Sequence, residues 1–137
     1  MFSARRRSPK RGSLFDVFSE LVSIPTLLEH ANLTLDIVMT EEDELRAYDG
    51  KRGRRKGGWV VVGRRLIDVL CTYTVRSMDD LFDMVEAKLP SVFTTADLSA
   101  AMGRPRRTGQ QAAYCFRCAG VVEICDKRGN TLVYRRC

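Results

Sequence analysis

The chain holds one histidine, His30, among 137 residues. Metal and triad chemistry built on paired imidazoles is therefore not expected, and His30 reads as a helix-end residue. Long hydrophobic runs are missing too. No stretch approaches the roughly 20 apolar residues of a membrane span. The arginines near the start are followed by no apolar segment of the kind a secretory leader carries. The expected compartment is the cytoplasm, with no membrane partner. No G-x-x-x-x-G-K-[ST] sequence is present, so a phosphate-cradling loop of that type is not expected. The five cysteines are odd in number and scattered, unlike a disulfide framework.

What is abundant is positive charge. Lysine and arginine total 23 against 17 aspartates and glutamates, for a net charge of +6 and a pI near 9.3. Such a balance suits a polyanionic partner. The cations are clustered. Arg5, Arg6, Arg7, Lys10 and Arg11 make an acid-free segment. Lys51, Arg52, Arg54, Arg55 and Lys56 make a second cluster, in the glycine-rich run 49–58. Arg104, Arg106 and Arg107 make a third, and Lys127, Arg128, Arg135 and Arg136 a fourth. The acids concentrate at Glu41-Glu42-Asp43-Glu44 and at Asp79, Asp80, Asp83 and Glu86.

Residues 1–13 are poor in apolar side chains and read as a disordered basic arm. It is either a solvated tail or a source of nonspecific phosphate contacts. Leu14, Val17, Phe18 and Leu21 recur at helical spacing, so Leu14–Val22 is expected to be a short amphipathic helix. Pro25 can open another, Thr26–His30. Leu33–Thr40 alternates apolar and polar residues as a strand does. Residues 49–58 are expected to be an exposed hairpin loop or a basic finger on nucleic acid. Trp59 can pack back onto the sheet. Trp59–Val62 and Leu66–Val75 are expected to be strands, the second alternatively a bulged extension of the first. Ser77 can cap a helix Met78–Lys88 whose apolar stripe is Leu81, Phe82, Val85 and Leu89. Asp79 and Asp80 lie in its first turn, where the helix dipole favours anions, and Pro90 ends it.

Residues 93–136 are the most informative. Thr94 or Thr95 can cap a helix. Leu98 and Met102 share one of its faces, and Gly103 can end it in the left-handed conformation. Pro105 suits the start of the next helix. Ala112, Cys115, Phe116 and Ala119 repeat at helical spacing, with Gly120 as the stop. Val121, Val122 and Ile124 then form a strand. The turn Lys127-Arg128-Gly129-Asn130 leads to a second strand with Leu132, Val133 and Tyr134.

This order, with the Gly103 turn, the Ala-Gly-Val-Val-Glu exit and the Arg-Gly-Asn tip, resembles the winged helix-turn-helix superfamily. From about Phe18 the chain is also similar to uncharacterised bacterial proteins with the same LVSIP opening (Leu21–Pro25), basic Gly/Trp loop and FTTADL segment (Phe93–Leu98). The expected fold is α+β. A disordered arm (1–13) precedes a small α+β unit (14–76) and a winged helix-turn-helix (77–137).

The first resemblance implies double-stranded DNA as partner, for a protein like a transcription regulator or accessory to a DNA-processing system. The second helix of the turn usually enters the major groove. Arg106, Arg107, Thr108, Gln110 and Gln111 occupy its reaching positions, with Arg104 just before them. Arg can bond guanine bidentately and Gln adenine. Ala112, Ala113, Tyr114 and Phe116 are expected to pack inward. Lys127, Arg128 and Asn130 would follow phosphates at the wing, and the loop cations Lys51, Arg52, Arg54, Arg55 and Lys56 would add to them.

Rival readings stay open. A winged helix can be a protein-docking module, with a protein partner or a second copy of the chain. Asp36, Glu41, Glu42, Asp43, Glu44 and Lys51 can be set beside the acids and lysine of a nuclease, though their spacing matches no signature and adjacent carboxylates are usually just solvated. Cys115 and Cys118, with Cys125 and Cys137, have the numbers for a zinc site. Their placement within a helix favours reduced thiols instead, and neither a metal nor a cofactor is expected.

Overall fold

A computed structural model describes residues 11–48 and 59–137. The basic arm up to Lys10 and the loop cations Lys51, Arg52, Arg54, Arg55 and Lys56 lie outside the described residues. Among the described residues four α-helices and five strands make an α+β fold. They are α1 (Phe18–Leu21), β1 (Leu35–Tyr48), β2 (Trp59–Val75), α2 (Met78–Glu86), β3 (Val92–Phe93), α3 (Thr95–Met102), α4 (Arg106–Cys118), β4 (Val122–Arg128) and β5 (Thr131–Arg136). β1 and β2 pair in one sheet, and the other has the order β3-β5-β4. Among the described residues no helix is long and apolar enough to cross a membrane.

The chain divides into two compact units, and the division does not fall at Arg76. Among the described residues, 13–37 belong with 73–137, and 38–48 with 59–72 make the other unit. The reason is a cluster of aromatic side chains. Phe18 meets Phe116 edge to face, with ring centroids 5.2 Å apart. Phe116 meets Phe82 in the same way at 5.1 Å. Phe82 lies 5.8 Å from Phe93, which stacks on Tyr134 at 6.1 Å. These are the separations at which ring edges and faces attract. The first helix thus supplies a core residue to the C-terminal helices, a link invisible to local periodicity.

The helix starts follow local chemistry. The Thr94 hydroxyl accepts from the Asp97 N–H at 3.3 Å, and the Asp97 carboxylate accepts from the Thr94 N–H at 2.9 Å. This reciprocal box satisfies two of the free donors at the head of α3. Ser77 accepts from the Asp80 N–H at 3.3 Å at the head of α2, which stops at Glu86 rather than running to Lys88. Gly103 closes α3 with φ 65°.

The expected helix over Leu14–Val22 is a 3-10 turn, Leu14–Val17, running into the single turn of α1. The expected helix over Thr26–His30 is a 3-10 turn, Leu27–Glu29. β1 extends beyond Thr40 through the acidic run. Arg65 meets Asp43 at 3.1 Å and Arg64 meets Glu44 at 3.6 Å. Cross-strand ion pairs of this kind offset the poor strand propensity of the acids. β2 is one uninterrupted strand with Gly63 inside it.

α3 and α4 approach so closely at Gly109 that only a hydrogen atom fits. A Cβ there would lie 2.5 Å from the Thr95 carbonyl oxygen and 3.0 Å from Ser99 Cβ. Gly109→Ala is therefore expected to force the helices apart and cost about 1–3 kcal/mol, as overpacking does. Gly103→Ala instead places a side chain in the left-handed region, at roughly 1–2 kcal/mol, with open space around it. Urea unfolding of the two variants tests the difference: added bulk around Ser99 aggravates the first and leaves the second unchanged.

Candidate nucleic-acid interface

α4 is two-faced. Gly109, Ala112, Ala113, Cys115 and Phe116 are buried. Arg106, Arg107, Gln110, Tyr114, Arg117 and Cys118 are exposed, while Thr108 and Gln111 are partly buried. Spacings of three and four place the exposed side chains on one face. Arg106, Arg107 and Gln110, expected to reach outward, do so. Tyr114, expected to pack, is 51% exposed. It sits between Gln110 and Arg117 on the outer face, because the inner face at that turn is already filled by Ala113 and Phe116. Arg117 was not anticipated at all. Both were legible from the helical wheel, once Ala112, Cys115 and Phe116 had fixed its inner side.

The hairpin places Lys127, Arg128, Gly129 and Asn130 in exposed positions. Gly129 takes φ 62°, so the chain turns within two residues and Arg128 stands opposite Thr131. A bulge between Ile124 and Asp126 interrupts the register.

The remaining cations of this region are engaged inside the fold. Arg104, expected among the DNA contacts, forms an ion pair with Asp16 at 2.8 Å. Arg135 donates to Glu123 at 2.7 Å, and that bond raises its pKa further above the ordinary guanidinium value. Arg136 lies 5.2 Å over the Phe82 ring and is met by three carboxylates of α2: Asp83 at 2.9 Å, Asp79 at 3.4 Å and Glu86. Its hydrogen bond to Asp83 leads the causes that raise its pKa. Among the described residues, Arg106, Arg107, Arg117, Lys127 and Arg128 have no carboxylate partner. The cations thus fall into two sets: those that tie the fold together and those on the outer face of α4 and the hairpin tip.

The other candidate chemistries find less support in the geometry. Glu41, Glu42, Asp43 and Glu44 lie along a strand, so they alternate between its two faces rather than converge. Among the described residues no group of three or more His, Cys, Asp or Glu side chains is placed to hold a metal. Cys115 is buried and Cys118 exposed, so the C-x-x-C pair points two ways.

The sequence places the chain within a family before it assigns a task. Its family model is described as Domain of unknown function (DUF8091), and it matches residues 1–76. The chain belongs to that family. It is also 31% identical over 134 residues to an uncharacterized protein of Treponema pallidum (strain Nichols), across 96% of this chain and 51% of that one. The chain therefore spans about half the length of the curated relative it matches. No solved structure matches. The family match ends ahead of α2, so α4 and the hairpin lie beyond it.

Burial pushes the Cys115 thiol up to about 11 from 9.0, with the Cys118 thiolate adding to the shift. A folded pKa raised above the unfolded value stabilises the fold below the lower of the two and is lost as pH rises through the higher. Stability is therefore expected to fall between pH 9 and 11, and Cys115→Ala should flatten that part of the curve. Brief alkylation of the native chain near pH 8 should modify Cys71, Cys118 and Cys137 and spare Cys115, which peptide mass mapping would show.

Proposed function

We propose that the chain binds duplex DNA through a winged helix-turn-helix, with α4 as the groove-reading helix and the Lys127–Asn130 tip as the wing. The observation that carries this reading is the partition of the cations. Arg106, Arg107, Arg117, Lys127 and Arg128 are exposed and unmatched by carboxylates among the described residues, whereas Arg104, Arg135 and Arg136 are bound within the fold. Exposed cations without countercharges on α4 and the hairpin tip raise the local positive potential, which attracts a polyanion. The order of helices with a paired C-terminal hairpin supports the same reading.

In this arrangement Arg106, Arg107 and Gln110 lead into the major groove, where Arg reads guanine and Gln adenine. Tyr114 and Arg117 continue the same face toward the sugar-phosphate edge. Lys127 and Arg128 contact phosphates, which fix register without specifying sequence. Thr108 and Gln111, partly buried, support the helix more than they reach. A role like that of a transcription regulator, or of an accessory to a DNA-processing system, suits a chain of this kind.

Protein docking through α4 is the second reading, favoured by the exposure of Tyr114, since tyrosine concentrates at protein interfaces. Binding measurements over a salt series separate the two. Lys127→Ala and Arg128→Ala are expected to weaken binding to all duplexes alike, each lowering the slope of log K on log salt by about one. Arg135→Ala and Arg136→Ala should leave that slope unchanged, because their charges are already matched. Arg107→Ala should cost about 1–3 kcal/mol on a preferred site and little elsewhere. Absence of salt-sensitive duplex binding at low ionic strength overturns the DNA reading.

A further inference from the structure

The ion pair between Asp16 and Arg104 lies where residues 13–37 meet the turn between α3 and α4, inside one compact unit. Arg104 is fixed at both ends. Its N–H donates to the Ser99 carbonyl at 3.0 Å, which closes α3. Its guanidinium Nη2 lies 2.8 Å from Asp16 Oδ1. The residue stands two positions ahead of Arg106, at the head of α4, with its charge turned to a carboxylate.

Asp16 is held from its other side. Its second oxygen, Oδ2, accepts from the Ser13 N–H at 2.9 Å, and the Ser13 hydroxyl accepts from the Phe15 N–H at 3.2 Å. This reciprocal cap orients the carboxylate independently of Arg104. Two residues further on, Phe18 packs on Phe116 of α4. The turn Leu14–Val17 is thereby anchored to α4 and brings its acid to a helix whose own first turn carries none. The pair stays open to solvent, with the Asp16 side chain 42% exposed and that of Arg104 25%. An exposed pair contributes about 0–1 kcal/mol, little enough for a competing anion to break it.

We propose that Arg104 is a latent phosphate contact, and that Asp16 competes with duplex DNA for it. The inference rests on the reading of α4 as the DNA-binding helix. The two acceptors are chemically alike, since a carboxylate and a phosphate each offer a guanidinium two anionic oxygens. In the intact chain a phosphate arriving at the head of α4 meets a neutral pair, and the carboxylate itself repels it. Held in this way, Arg104 adds nothing to counterion release. Without the Asp16 charge the same guanidinium becomes a further phosphate contact. The effect falls on all duplexes alike, because phosphate contacts carry no sequence information. The Ser13–Val17 turn therefore sets how tightly the chain holds DNA of any sequence, without touching a base.

Salt titrations of binding to a mixed-sequence duplex test this. Asp16→Asn keeps an oxygen for the Ser13 N–H and removes the charge. It is expected to steepen the slope of log K on log salt by about one, and to tighten binding about five- to tenfold at roughly 0.1 M salt. Adding Arg104→Ala should abolish the gain, so that the double variant matches Arg104→Ala alone. Loss of a merely structural contact would weaken binding and would not steepen the slope. Phenylglyoxal labelling of the native chain, mapped by mass, gives a readout without DNA: Asp16→Asn should speed modification of Arg104 and leave Arg107 as it was. Circular dichroism checks that each variant is folded. A folded Asp16→Asn chain with an unchanged slope overturns the proposal, as does a double variant that keeps the gain, or labelling of Arg104 that does not accelerate. Each of these results leaves the DNA reading standing. An unaltered chain without salt-sensitive duplex binding removes that reading and the proposal together.

Discussion

The contact between α3 and α4 at Gly109 constrains everything near it. Helices usually keep 8–10 Å between axes because side chains intervene. Here a hydrogen atom faces the Thr95 carbonyl, and Ser99, buried beside it, donates its hydroxyl to the Ala96 carbonyl at 2.9 Å. The close approach fixes the rotation of α4 about its axis. That rotation sends Phe116 inward, between Phe18 and Phe82, and turns Gln110, Tyr114 and Arg117 outward. A larger residue at Gly109 would disturb both faces at once. The packing of the core and the presentation of the outer face are thus one geometric fact.

Electrostatics sort the arginines in the same spirit. Arg136 combines an aromatic face with three carboxylates, and its partners stand one and two turns apart along α2. It fastens β5 to α2 more than it advertises charge. Solvent-exposed pairs contribute little singly, but a planar guanidinium shared among several acceptors and a ring is held in one orientation. Simple counting of cations in the C-terminal segment overstates what a polyanion would meet.

Local signals in the sequence were sufficient for α2, for α3 with its Thr94 cap and Gly103 stop, for α4 and for the closing hairpin. Each is written in short-range chemistry: a hydroxyl before a helix, a glycine after it, a repeat of three and four. β3 escaped because two residues, Val92 and Phe93, carry no period, and only their pairing with Tyr134 and Arg135 defines them. The place of Phe18 in the core escaped because its partner is far along the chain. The continuation of β1 through Glu41–Glu44 escaped because four acids in a row read as a solvated strand end or a set of metal-binding carboxylates until Arg64 and Arg65 are set beside them. The outward side of α4 is half legible: Arg106, Arg107 and Gln110 are exposed as their positions imply, whereas Arg117 is missed and Tyr114 stands outside because Ala113 and Phe116 already fill the inner face.

The Phe18–Phe116 contact has a consequence for how the chain comes together. On a ribosome the first of these rings emerges about a hundred residues before the second. Until α4 is made, Phe18 and Leu21 have nothing of their own to cover them, since a single helical turn cannot hold an apolar face by itself. The unit must close a long loop before its core exists, and such distant contacts slow folding. Everything between, including the whole β1–β2 ribbon, is synthesised while the two ends of that core are still strangers.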